Sequence, residues 1–481
     1  MNNILHRVFK THFQHGLFYF IATVLVVSPL VRFSWDIPAQ IVCAVALAIC
    51  FLLTIVSQNI DVSLENEGLE LLFLMCCGVS AIGVFHVPAV RSAVLVVFNA
   101  AVLVYLIRFV RIDDRKKFGL VIIVTGIVLS IAVGAFRLWP RTYLPIIVNP
   151  NICAGYIIMC YLLAVAEADN KSYRGVAIVL LVGLFLTKSR AAVSIGLLCT
   201  IIYWAKAVKS PARVAIGGMV ALGCLIMFLN GRGDVSIINR IVWWNSAWRM
   251  FIAHPMKGVG WGNFGNTYLS LRSTVSENTI YAHNIILQVL AESGIIGMCG
   301  GVGFMLWRLK KMSLRSPHVL AITGFLLYNL FDYSFYIPSH MFAFFVLLYS
   351  ADRAPDHDTH VPHVTLNAVG KTVVIAVFVV CSIFLMTNDS SLAMRYSAQA
   401  EILFKKYTVS KDLLNLAQAI DQQEHAVLAA PQTASLHSDL AWLYWVGGQK
   451  KAARKEILEA IRRDPLNIGY QKTLRQFMLQ K

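Results

Sequence analysis

Charge is scarce in this sequence, and acidic charge scarcest: only 14% of the 481 residues are charged, with 25 acids against 42 bases. With 58% hydrophobic residues and a mean hydropathy of +0.66, an ordinary soluble globular protein is excluded. No small-residue cleavage site follows the first apolar run, which sits behind His6, Arg7 and Lys10. That run therefore predicts a retained helix rather than a removable signal peptide. The ten cysteines (Cys43, Cys50, Cys76, Cys77, Cys153, Cys160, Cys199, Cys224, Cys299, Cys381) all fall inside apolar runs. Neither a metal-binding cysteine pattern nor a disulfide framework is left for them. The formal charge of +17 is scattered over short connections instead of gathered in one hydrophilic domain, which argues against a nucleic-acid partner and for membrane topology.

What the chain has in abundance is apolar runs near twenty residues, each long enough to cross a hydrocarbon core of about 30 Å as a helix. About thirteen spans are predicted, near 16–32, 38–57, 69–87, 92–110, 118–136, 148–167, 175–188, 191–207, 212–229, 284–307, 317–333, 338–351 and 371–387. Basic clusters Arg108, Arg111, Arg115, Lys116 and Lys117, then Lys206, Lys209 and Arg213, then Arg308, Lys310, Lys311 and Arg315 follow even-numbered spans. Those ends are assigned to the cytoplasm. The odd count puts the connection 230–283 and the hydrophilic C-terminal part 388–481 together on the outer side. The parity depends on reading Val176 to Trp204 as two short helices with Thr187-Lys188-Ser189-Arg190 at the outer surface. The expected fold is all-α and polytopic: N-terminal spans over 1–229, an outer loop over 230–283, C-terminal spans over 284–390 and a soluble helical unit over 391–481.

In that unit, Ala419, Ala426 and Pro431 recur as Ala453, Ala460 and Pro465, a spacing of 34 residues that matches the tetratricopeptide period. Leu440, Ala441, Tyr444, Gly448 and Ile457 fill further packing positions of the second copy. Fewer than three copies predict packing on the membrane body or on a protein partner, with a plain helical hairpin as the alternative.

The outer loop joins Arg240, Arg249, Lys257 and Arg272 with Trp243, Trp244, Trp248 and Trp261. Helical spacing over 237–252 predicts an amphipathic helix with its Trp residues at headgroup depth, ended by His254-Pro255. Gly258, Gly260, Gly262 and Gly265 then make a turn whose amides either meet an anionic group or let the chain fold back. His283, at the outer end of the next span, is placed to take a proton from an acceptor hydroxyl; an interfacial histidine solvated by headgroups is the plain alternative. Glu292, about 13 Å deeper on a continuous helix, is expected to bond between helices. Asp332, also at an outer end, either orients His283 or is an ordinary surface aspartate.

The order of these motifs resembles the O-antigen ligase and polymerase superfamily. It runs Asn149-Pro150-Asn151, Thr187-Lys188-Ser189-Arg190, Arg240 to Arg249, His254-Pro255 to Phe264, and His283-Asn284 with Leu287, Leu290, Glu292, Gly294 and Gly297, over roughly residues 145–350. The resemblance implies a GT-C-like glycosyltransferase of the bacterial inner membrane with its site facing the periplasm. Such an enzyme moves a glycan from undecaprenyl diphosphate to an acceptor with neither metal nor other cofactor. It implies diphosphate binding for Arg190 and Arg240, with Arg249 competing for the second role, and acceptor activation for His283; Asn284 and Asp332 are candidate supporting residues beside them. Three acceptors stay open: lipid A core, as in lipopolysaccharide ligation; a growing polysaccharide; or a protein hydroxyl. From another class, a flippase for the same lipid-linked glycan remains the rival, although repeat-related halves and mid-membrane polar residues are not evident.

Overall fold

A computed structural model describes residues 2–31, 37–57, 61–62, 88–138, 149–207, 235–272, 279–313, 316–351, 364–365, 371–372, 375–376, 379, 389–465 and 467–479. Among them the architecture is all-α, apart from one two-residue antiparallel pairing of Asp61–Val62 with Val364–Thr365. The membrane body is built from α1 (Asn2–Leu30), α2 (Ile37–Ser57), α3 (Pro88–Ile107), the single turn α4 (Ile112–Arg115), α5 (Phe118–Leu138), α6 (Pro150–Ala166), α7 (Lys171–Thr187) and α8 (Arg190–Ala207). After the outer-loop helices α9 (Val235–Ala253) and α10 (Phe264–Leu271) come α11 (Ile285–Lys311), α12 (Pro317–Tyr328) and α13 (Pro338–Ser350). The predicted spans 69–87 and 212–229, and most of 371–387, lie outside the described residues.

Three described helical stretches, His12–Leu30, Asp113–Leu138 and Ile285–Lys311, are long and apolar enough to cross a bilayer, and six shorter apolar helices accompany them. Large apolar side chains repeat at helical spacing on surfaces that no described residue covers, as with Leu120, Val124, Val128 and Ile131 on α5. Water would not tolerate so continuous a belt, whereas lipid requires it. The centre of the bundle is α6, buried on all sides from Ile152 to Val165 and packed against α5, α7, α8 and α12. Pro150 opens it without losing a hydrogen bond, and the Asn149 side chain accepts from the Asn151 amide at 2.9 Å.

The predicted break between α7 and α8 is present. Lys188 is exposed and left-handed (φ 60°), which ends α7, and Arg190 opens α8. Arg137, at the end of α5, donates to the carbonyls of Leu186 (2.9 Å) and Thr187 (3.2 Å), filling acceptors that the helix end leaves over.

The predicted span 284–307 is present as α11, with an interruption inside it. The helix from Ile285 is broken at Gly294 (φ 61°, ψ −161°), and the loop after α9 docks into the break. Val259 N donates to Ala291 O and Gly260 N to Glu292 O, both at 2.9 Å, while Ile295 N donates to Pro255 O at 2.8 Å. Backbone groups freed inside a membrane protein must find partners within the protein, and this loop supplies them. Glu292 makes the buried bond between helices expected of it, to the start of α10. Its carboxylate accepts from the amides of Gly262 and Phe264 at the start of α10, so the anion that the glycine turn receives is the chain's own.

The tail forms α14 (Asp389–Ser410), α15 (Leu413–Ala429), α16 (Ala434–Val446), α17 (Lys450–Arg463) and α18 (Ile468–Leu479). The alanines 34 residues apart, Ala419 with Ala453 and Ala426 with Ala460, are fully buried where the paired helices meet. His437 staples two helices, with Nδ1 2.6 Å from Glu456 Oε2 and Nε2 2.9 Å from the Pro431 carbonyl. The tail reaches the outer loop through Arg272 and Asp464, a buried ion pair of 2.6 Å. That contact brings the two hydrophilic parts together.

The docked loop makes a sharp expectation for glycine. A Cβ on Gly258 would overlap the Glu292 backbone, one on Gly294 would overlap the Met256 backbone, and both residues have positive φ, whereas nothing lies within 4 Å of Gly303. Gly258→Ala and Gly294→Ala should each destabilise by about 3 kcal/mol or more. Gly303→Ala should leave the thermal midpoint in detergent unchanged or raised; equal midpoints for all three variants would refute the docked-loop geometry.

Candidate functional site

His283 lies in the turn between α10 and α11, and its backbone is fixed from both sides. The Ala282 amide donates to Gln288 Oε1. Asn284 caps α11, accepting from Leu287 N and donating to Leu330 O, each at 3.0 Å. Between these anchors His283 is held left-handed, at φ 54°, a conformation that costs a non-glycine residue about 1 kcal/mol or more. The imidazole stacks on Trp243 of α9 (4.5 Å between centroids, 22°) and meets the edge of Tyr333 (4.6 Å, 77°). Its Nδ1 is buried and has no hydrogen-bond partner among the described residues.

Arg240, one turn before Trp243, sits beside this ring and donates to the Phe331 carbonyl at 3.2 Å. Burial first, and the Arg240 charge second, push the His283 pKa down to about 3. The ring is therefore a neutral imidazole at ordinary pH. An unfolded histidine titrates near 6.5, so the folded ring refuses a proton that the unfolded one accepts. The stability contributed by His283 is full above about 6.5 and is lost as pH falls toward about 3.

Asp332 is buried rather than a surface aspartate, yet it does not orient the imidazole. Its Oδ1 accepts from Ser334 N (3.0 Å) and Ser334 Oγ (2.7 Å), and its carboxylate faces Arg240 and the Tyr328 hydroxyl. Its charge acts on the guanidinium of Arg240 through space. Tyr328 extends the network toward α8, donating to Asn151 O at 3.1 Å and lying 3.5 Å from Ser189 Oγ, next to Arg190. Arg190 is half-buried at the start of α8. His283, Arg240 and Asp332 are thus assembled directly, while Arg190 adjoins them through Ser189 and Tyr328.

The two loop arginines are placed differently. Nine residues separate Arg240 from Arg249, two and a half helical turns, so they point to opposite sides of α9; Arg249 is exposed. The expectation of headgroup-facing tryptophans is corrected in part. Trp248 is exposed with Ile238, Ile241 and Ile252, but Trp243 is buried against His283. Sequence reasoning missed Trp243 and Tyr333 as walls of the site, Tyr328 as its bridge, and Arg137 as the support of the Lys188 turn. The available signal for Trp243 was its place one turn after Arg240.

Beside this assembly an apolar cavity of about 870 Å³ runs along α11 against α3, α12 and α13. Val96, Val289, Met305 and Leu326 line its length, and Trp261, Tyr281 and Glu292 border its outer end.

Arg240→Gln should raise the His283 pKa, measured by NMR on isotope-labelled histidine, because a neighbouring positive charge is removed. Arg249→Gln should leave it in place; equal shifts, or none for Arg240→Gln, would contradict the geometry.

Comparison of the chain with curated proteins finds no match. Residues 175–300 match the O-antigen ligase family, a stretch that includes Arg190, α9, the docked loop, His283 and the break in α11. The matched stretch lies within residues 145–350, over which the order of motifs resembles that family.

Proposed function

We propose that the protein is a membrane glycosyltransferase that moves a glycan from undecaprenyl diphosphate onto an acceptor at the periplasmic face of the bacterial inner membrane. The observation that carries this reading is Arg240 beside the buried, neutral imidazole of His283, within the residues matching the O-antigen ligase family.

The geometry supports one sequence of events. The diphosphate binds between Arg240 and Arg190, whose planar guanidinium groups suit bidentate contact with phosphate oxygens. The polyprenyl chain lies in the apolar cavity along α11. Arrival of the anion offsets the Arg240 charge that keeps protons off His283, so the imidazole becomes basic when the donor is in place. His283 then takes the proton of the acceptor hydroxyl as its oxygen bonds to the anomeric carbon. The bond from that carbon to the diphosphate breaks, and the electron pair leaves with the diphosphate, stabilised by the arginines. Asp332 holds Arg240 in place. The tail, with its buried alanines at the 34-residue period, is read as tetratricopeptide-like, and its free faces suit a protein partner.

Purified protein given a lipid-diphosphate glycan and lipid A core, polysaccharide or protein acceptors should transfer sugar with a chelator present, and the product identifies the acceptor. His283→Ala and Arg240→Ala should each lose about 100-fold or more in rate, with Cys153→Ala unchanged; a requirement for divalent metal, or full activity in both variants, would refute the mechanism. Because kcat/KM reports the free enzyme and kcat the donor complex, the acid limb of kcat should lie at higher pH than that of kcat/KM for the donor. Coincident limbs would mean that donor binding does not tune His283.

A further inference from the structure

Arg272 and Asp464 are 192 residues apart in sequence, yet they form an ion pair of 2.6 Å with both side chains more than nine-tenths buried. Arg272 caps the C-terminal end of α10, and Asp464 caps the C-terminal end of α17 in the tail. Asp464 is itself held by the Asn467 side chain, 3.3 Å from its second oxygen.

The other end of α10 belongs to the site. Phe264 and Tyr268 of α10 are fully buried in one small core with Trp243, Ala247, Ala282 and Ala291. Trp243 carries the stacked face of His283, and Ala282 is its chain neighbour. Phe264 also offers its amide to Glu292, beside the break in α11. This eight-residue helix is too short to hold its place unaided. It is fixed by a carboxylate at each end, Glu292 from the membrane body and Asp464 from the tail.

We infer that Asp464 is a positioning residue for His283: through Arg272 it holds α10 against the back of the imidazole's aromatic seat, so that the tail is a structural part of the transfer site. The role follows from the geometry of α10, and its catalytic meaning rests on the reading of His283 as the base. Removing the carboxylate takes away the charge that offsets the burial of the guanidinium, and the cheapest relief is for α10 to lift and let water reach its core. The seat of His283 then loosens locally, while helices elsewhere keep their packing.

The test uses the full chain in lipid nanodiscs, treated with diethyl pyrocarbonate and mapped by peptide mass analysis. Buried His318 and His340, on α12 and α13, serve as internal controls. In Asp464→Asn, carbethoxylation of His283 should accelerate roughly fivefold or more with the two controls unchanged, since only local opening is invoked. The exchanged pair Arg272→Asp with Asp464→Arg, and the charge-preserving Asp464→Glu, should return the rate to within about twofold of the parent. An unchanged His283 rate in Asp464→Asn would overturn the inference, as would joint acceleration of all three histidines or failure of the exchanged pair to recover. In the transfer assay, Asp464→Asn should lose about tenfold in kcat, regained by the exchanged pair. Absence of transfer by the unaltered protein would sink the proposed function, whereas the labelling rates would still decide the role of α10.

Discussion

A membrane helix that stops and restarts leaves polar backbone groups where neither water nor lipid can satisfy them, and the outer half of this protein is organised around that constraint. The interruption at Gly294 is tolerable only because the segment from Pro255 to Gly260 brings its own amides and carbonyls to the gap. Once that segment is committed, its continuation through Gly262 delivers the start of α10 to Glu292. The first turn of α11 is likewise committed to Asn284 and the 329–330 backbone. His283 is the residue left at the junction, with no freedom to choose an ordinary backbone conformation.

Two environments act on that histidine. Aromatic walls strip it of water, and a guanidinium adds positive charge, so each disfavours the imidazolium. The same guanidinium is of a kind that suits phosphate, so on the proposed reading one cation would do two jobs that a solvent-exposed histidine and a distant arginine would do separately. The buried carboxylate of Asp332 keeps the cation from being an isolated charge in a poor dielectric.

Much of this was legible in the residues. Hydropathy located the described helices of the membrane body, the pair of charges at Lys188 and Arg190 marked a true break, and the alanines at 34-residue spacing fell where paired helices meet. What escaped was tertiary. Gly294 sits in an apolar run whose composition is helical throughout, and only the loop arriving from elsewhere in the chain makes interruption tolerable. Asp332 read equally well as a surface residue, because nothing local announces that Ser334 and Tyr328 surround it. The equivalence of Arg240 and Arg249 dissolves only when the helix between them is known to be continuous, which fixes them half a turn apart in direction. Trp243 reads as a headgroup anchor in the sequence, since the aromatic belt is the commoner use of tryptophan at that depth.

The long reach of the Arg272–Asp464 pair also bears on biogenesis. Asp464 is made after every described helix of the membrane body, so the bundle can be inserted by the translocation machinery while the outer loop is still without its final clasp. Assembly of this protein then has two separable stages, lipid-embedded packing first and maturation of the loop only when the last helical hairpin has been made and folded.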